Sequence, residues 1–61
     1  MELLKIKEAS QFLKLSPSTL YYLVETCQIP HIRLGKAIRF IKEDLEKFIE
    51  KSKIPVLKND K

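Results

Sequence analysis

The sequence predicts a mainly α-helical domain carrying one small β-hairpin, and three observations predict it. Two apolar stripes at helical spacing are separated only by a few residues around Lys14-Leu15. Two alternating runs flank Gly35, the one glycine of the chain. A third amphipathic stretch follows at once, with carboxylates at its start and lysines further on. The order is therefore helix, tight turn, helix, hairpin, helix.

Met1 to Lys5 is a short lead-in whose Leu3 and Leu4 cover one end of the core. The first helix is expected over Ile6 to Lys14, where Ala9, Phe12 and Leu13 share a face and Ala9 is small enough to admit a close neighbour. The second helix opens at Ser16, an N-cap type, with Pro17 at the first helical position, where a missing N–H has no partner to lose. Leu20, Leu23, Val24 and Cys27 then fall at i, i+3, i+4 and i+7, so all four, the cysteine included, are expected in the core. The other face carries Ser18, Thr19, Tyr22 and Thr26, hydroxyl-bearing and poor in carboxylates. Such a face suits phosphates and base edges. Tyr21 and Tyr22 point about 100° apart; Tyr21 is assigned to the core edge with its hydroxyl reaching outward, and Tyr22 to the polar face.

Gln28-Ile29-Pro30 stops the second helix, since proline cannot continue the ladder and disfavours helical backbone before it. His31-Ile32-Arg33-Leu34 and Ile38-Arg39-Phe40-Ile41 form the hairpin. Two registers compete. A two-residue turn at Gly35-Lys36 pairs Ile32 with Arg39 and Arg33 with Ile38, mixing apolar and charged residues on both faces. A three-residue loop pairs Leu34 with Ile38, Ile32 with Phe40 and Arg33 with Arg39, which gathers the apolar residues on one face. The second register is expected, although it sets two arginines side by side unless an anion lies over them. The last helix runs from Glu43 to about Lys53 on Leu45, Phe48 and Ile49, and residues 54–61 are expected as a tail, either frayed or joined to a longer protein or a partner.

With 61 residues the chain is one domain at most, too small for a deep catalytic pocket. Hydrophobic content of 44% against 33% charged residues describes a chain that folds rather than one that stays disordered. A single cysteine excludes an internal disulfide, and no apolar run approaches the roughly 20 residues of a membrane span, so a soluble, intracellular chain is expected. The net charge of +4 is unevenly spread: Ala9 to Lys42 holds Lys14, Arg33, Lys36, Arg39 and Lys42 against Glu25 alone, while Glu43, Asp44, Glu46 and Glu50 face only Lys47 in the following stretch. A polyanion would orient such a molecule by its basic side. His31 has no ligand-type residue at metal-binding spacing and reads as a hairpin-edge residue. The carboxylates of the last helix read as a solvated face, and with no glycine-rich loop neither a metal nor a cofactor is expected.

Lys7-Glu8-Ala9-Ser10 with Phe12-Leu13, Ser16-Pro17-Ser18-Thr19-Leu20-Tyr21, Ile29-Pro30-His31-Ile32-Arg33-Leu34-Gly35, Ile38-Arg39-Phe40 and Lys42-Glu43-Asp44-Leu45 stand in the order and spacing of a known family. The chain resembles the excisionase-type DNA-binding domains, within the wider MerR-like winged helix-turn-helix group, over residues 1–53. The resemblance implies a second helix in the major groove and a hairpin wing along the backbone or into the minor groove. It places Ser18, Thr19 and Tyr22 in the groove and Arg33, Lys36 and Arg39 on the wing. Lys14 stands where relatives often have glycine, so a left-handed backbone there costs about 1 kcal/mol or more. Tyr22 replaces a common basic residue, and Lys5 and Ile41 replace Ser or Thr caps.

The expected function is sequence-selective binding of double-stranded DNA, without catalytic activity, by a recombination or transcription factor of the cytoplasm or nucleoid. Lys14, Arg33, Lys36 and Arg39 would anchor phosphates, Ser16, Ser18 and Tyr21 would add contacts near the helix, and Thr19 and Tyr22 would discriminate bases. A recombinase or integrase, or further copies of the chain on repeated sites, are the expected partners beside DNA. The competing reading is a protein-interaction module whose basic face meets an acidic partner.

Overall fold

The computed structural model describes residues 2–54. The elements are β1 (Leu3–Leu4), α1 (Ile6–Leu13), α2 (Pro17–Glu25), β2 (Ile32–Leu34), β3 (Ala37–Ile41) and α3 (Lys42–Ser52). Each element buries what its periodicity offers. Leu4, Ala9, Leu20, Val24, Ile29, Phe40 and Leu45 are buried in one cluster, with Ile6, Phe12, Leu13, Leu15, Leu23, Ile38 and Phe48 packed around it. Fully burying a side chain the size of Phe40 or Leu20 contributes about 1.5–3 kcal/mol. This is a winged helix-turn-helix, as the sequence predicts.

The lead-in does more than cap the core. Leu3 pairs with Ile41 and Leu4 with Phe40, so β1 adds a third antiparallel strand and the sheet order is β1-β3-β2. The backbone N–H of Lys42 donates to the Glu2 carbonyl at 3.1 Å and ties the start of α3 to the same strand.

The hairpin takes the register that the sequence argument rejects. Ile32 pairs with Arg39, Arg33 with Ile38 and Leu34 with Ala37, around a two-residue turn at Gly35-Lys36. Three physical reasons favour it. Gly35 has φ +63° and Lys36 does not, the sign pattern of a two-residue turn whose first position needs glycine. A side chain at Gly35 would meet nothing within 4 Å, so the requirement is conformational and not steric. The register also puts Arg33 and Arg39 on opposite faces instead of side by side, which removes a like-charge pair. The core asks little in return, since Ile38 and Phe40 alone carry the hairpin's contribution to it.

Both ends of the helix pair are closed by left-handed residues. Lys14 has φ 58°, the left-handed backbone whose cost the sequence anticipates, and the Leu15 N–H donates to Ser10 O at 3.1 Å. At the end of α2 the second correction appears. The helix stops at Glu25, not at Gln28, and Cys27 has φ 55°. Its N–H donates to Val24 O at 3.0 Å and that of Gln28 to Leu23 O at 2.8 Å, a Schellman motif. Cys27 thereby leaves the helical stripe, and its thiol is exposed instead of buried.

The caps follow the sequence reading. Lys5 has no side-chain acceptor, so α1 keeps only the reciprocal half of a capping box, Glu8 Oε1 accepting from the Lys5 N–H at 2.8 Å. Ile41 makes no side-chain cap for α3, whose first turn is favoured by Glu43 and Asp44. The expected tail lies almost wholly outside the described residues.

Cys27→Gly should raise the melting temperature, because relief of the left-handed strain of about 1–2 kcal/mol exceeds the added chain entropy of about 0.4–1 kcal/mol. A cysteine packed in the core would give the opposite sign, so thermal unfolding of this one variant separates the two placements.

Candidate nucleic-acid interface

The position of α2 is set by the turn before it. Ser10 Oγ donates to the Leu15 carbonyl while the Leu15 N–H donates to the Ser10 carbonyl, so two reciprocal bonds clamp the last turn of α1 onto the residue before the α2 cap. Nothing in the sequence marks Ser10 for this role. A serine facing a carbonyl five residues ahead has no periodic signature, and only the left-handed Lys14 brings the two together. α1 touches both α2 and β3, and so fixes the helix relative to the hairpin.

Ser16 caps α2, its Oγ accepting from the Thr19 N–H at 3.3 Å and lying 3.0 Å from Thr19 Oγ1. No carboxylate occupies the first turn, so the positive end of the helix dipole is open to an anion. Ser18 and Thr19 are exposed, and Tyr22 is 60% and Tyr21 48% accessible. Tyr21 thus stands further out than a core-edge residue. Thr26 belongs to the hydroxyl face in sequence but closes the helix in structure: its Oγ1 donates to Tyr22 O at 2.8 Å and accepts from Gln28 Nε2 at 2.8 Å.

The basic residues divide by register. Arg33 and the turn residue Lys36 are exposed. Arg39 is half-buried on the other side of the ribbon, where its Nη1 donates to the Ile38 carbonyl at 2.9 Å. Arg33 and Arg39 therefore do not converge. Lys14 is exposed at the turn before α2. Lys42, counted with the basic stretch in sequence, lies with its Nζ 5.7 Å from the Phe12 ring centroid, a cation–π contact at the core rim. His31 Nδ1 is 2.9 Å from Ile29 O and braces the link from α2 to β2. Among the described residues no cluster of His, Cys, Asp or Glu could hold a metal ion, and no helix is long and apolar enough to cross a membrane.

A family model described as a helix-turn-helix domain matches residues 3–53. Neither a curated protein nor a solved structure matches the chain.

Ser10→Ala should cost about 1–3 kcal/mol, since it leaves the part-buried Leu15 carbonyl without that donor. Urea unfolding measures the loss, and backbone amide exchange should rise at Lys14 to Ser16 before it rises in α3.

Proposed function

Because the chain belongs to the excisionase-like helix-turn-helix domain family, we propose that it binds double-stranded DNA with sequence preference. The observation that carries this reading is α2 itself: an exposed hydroxyl-bearing face over Ser18, Thr19 and Tyr22 whose one carboxylate, Glu25, stands at the far end of the helix, a dipole end without an acid, and a basic hairpin turn held on the same core. In this reading α2 enters the major groove. Thr19 and Tyr22 meet base edges, while Ser16, Ser18 and the Tyr21 hydroxyl take phosphate oxygens at the groove margin. Lys14 holds the backbone before the helix, and Arg33 and Lys36 hold it at the wing.

Arg39 stands apart from this set. Its half-buried guanidinium is on the face opposite Arg33 and is engaged with its own strand. We assign it only a share of the overall positive field.

One module of this kind covers on the order of 600–1,000 Å² of its own surface on DNA, little for tight specific binding. Repeated sites occupied by several copies, or a neighbouring DNA-bound protein such as a recombinase, would supply the remainder.

Fluorescence anisotropy of a labelled random-sequence duplex across a salt series tests the reading. Log affinity should fall against log salt with a slope of about −0.9 for each phosphate contact, and Arg33→Ala should flatten the slope by about one contact. Tyr22→Ala should instead change the preference among duplexes, by up to about 1–3 kcal/mol at the base pair it reads. Failure to bind at low salt would sink the proposal.

A further inference from the structure

Strand pairing defines a second surface, distinct from the residues to which DNA contacts are assigned above. Paired residues share a face, so Leu4, Phe40 and Ile38 turn inward with Arg33 at the open end, and Leu3, Ile41, Arg39, Ile32, Leu34 and Ala37 turn outward. No residue of the outward set belongs to the core or packs against it. Leu3 is 45% and Leu34 54% exposed. At ordinary strand spacing the patch covers on the order of 200 Å². Arg39 lies within it as the charged centre of an apolar field, and among the described residues no carboxylate pairs with it.

The same chain carries the complement. On α3 the core side is Leu45 and Phe48, and Glu46, Ile49 and Glu50 form an outward stripe at i, i+3 and i+4, with Ile49 39% exposed. Among the described residues its carboxylates have one ion-pair partner, an exposed Lys53 Nζ 3.6 Å from Glu50 Oε1, a pair that contributes little. An apolar residue flanked by acids on one side of the molecule therefore answers a cation flanked by apolar residues on another.

We propose that the outer sheet face docks α3 of a second copy of the chain, Arg39 taking Glu46 or Glu50 while Ile49 covers Leu3, Ile32, Leu34 and Ile41. The proposal deepens the multiple-copy reading above and names the surfaces that such copies would use. The contact joins two different surfaces, so it has direction, and repeated without a closing rotation it builds an open head-to-tail array. Copies linked this way suit DNA sites in direct repeat, not inverted repeat. A patch of this size is far below the roughly 800 Å² per partner of a stable complex. Free copies should thus associate weakly, and copies held on one duplex should do so readily, at effective concentrations near the mM range.

Nuclear magnetic resonance of the ¹⁵N-labelled full chain tests the contact without DNA, so its outcome is independent of the salt titration. At physiological salt, raising the concentration from about 50 μM to about 2 mM should shift the amides of Leu3, Ile32, Leu34, Arg39 and Ile41 together with those of Glu46, Ile49 and Glu50, and leave Ser18 to Tyr22 in place. Arg39→Glu should abolish both sets of shifts, and so should the pair Glu46→Arg, Glu50→Arg. Mixing labelled Arg39→Glu with the unlabelled pair variant should restore the α3 shifts, because an intact sheet face then meets an intact α3. Leu3→Ser and Leu34→Ser, at exposed positions, should weaken the same shifts and keep the test open if Arg39→Glu does not fold. Shifts confined to the sheet face, shifts confined to α3, no shifts at 2 mM, or no recovery on mixing would each overturn the proposal.

Discussion

Phe40 is the contact on which the remaining geometry depends. It sits in the middle strand of the sheet, fully buried, and its cluster takes Ala9 from α1, Leu20 and Val24 from α2 and Leu45 from α3. Removing a phenyl ring from such a site costs about 3–5 kcal/mol, comparable with the whole stability that one small core supplies in a chain of this length. The ring orders the sheet and the helix pair at once. Because β3 runs directly into α3, and α1 rests on both β3 and α2, every surface of functional interest is positioned by reference to one side chain.

Around that core the backbone uses strain sparingly and at boundaries. Three left-handed residues, Lys14, Cys27 and Gly35, mark the end of α1, the end of α2 and the hairpin turn. Only one of them is glycine. The first two accept the cost because a short chain must reverse direction within a few residues, and the hydrogen bonds at Leu15 and Gln28 satisfy carbonyls the helices would otherwise leave open. The strain at Lys14 also sets how α2 leaves α1, the geometry a helix needs to project into a groove.

What the sequence disclosed followed from periodicity and from turn chemistry. The three helices, their order, the Ser16 cap and the burial of Leu20, Val24, Phe40 and Leu45 were legible because a 3.6-residue or two-residue repeat leaves a direct trace. Cys27 was misplaced because an i+7 spacing looks the same whether or not the helix reaches that far, and the Schellman turn cut it short. β1 was missed as a strand because two residues have no period to detect. The hairpin register is not legible from burial within the hairpin, because the two-residue turn and the separation of Arg33 from Arg39 decide it. At the candidate interface the positions on α2 were legible as an exposed hydroxyl face. Thr26 and Tyr21 departed from that reading because hydrogen bonding and helix rotation, not composition, determine which hydroxyls stay free.

The register has a consequence for how charge is divided over the molecule. With Arg33 and Arg39 on opposite faces of the ribbon, the basic stretch of the sequence does not become one basic surface. Arg33 and Lys36 stand at the exposed turn end of the hairpin, where a phosphate backbone is accessible, and Lys42 is drawn to Phe12. Arg39 remains among leucines and isoleucines that no element of the described residues covers. A purely solvated strand face would carry polar residues at Ile32, Leu34 and Ile41, since alternation of polar and apolar positions is how a one-sided sheet is ordinarily written. This sheet is apolar on both sides, and the Glu46-Ile49-Glu50 stripe of α3 offers charge and apolar content that match the outer one. The residues proposed to meet DNA and those proposed to dock a second copy are thus distinct, and one small core carries both sets.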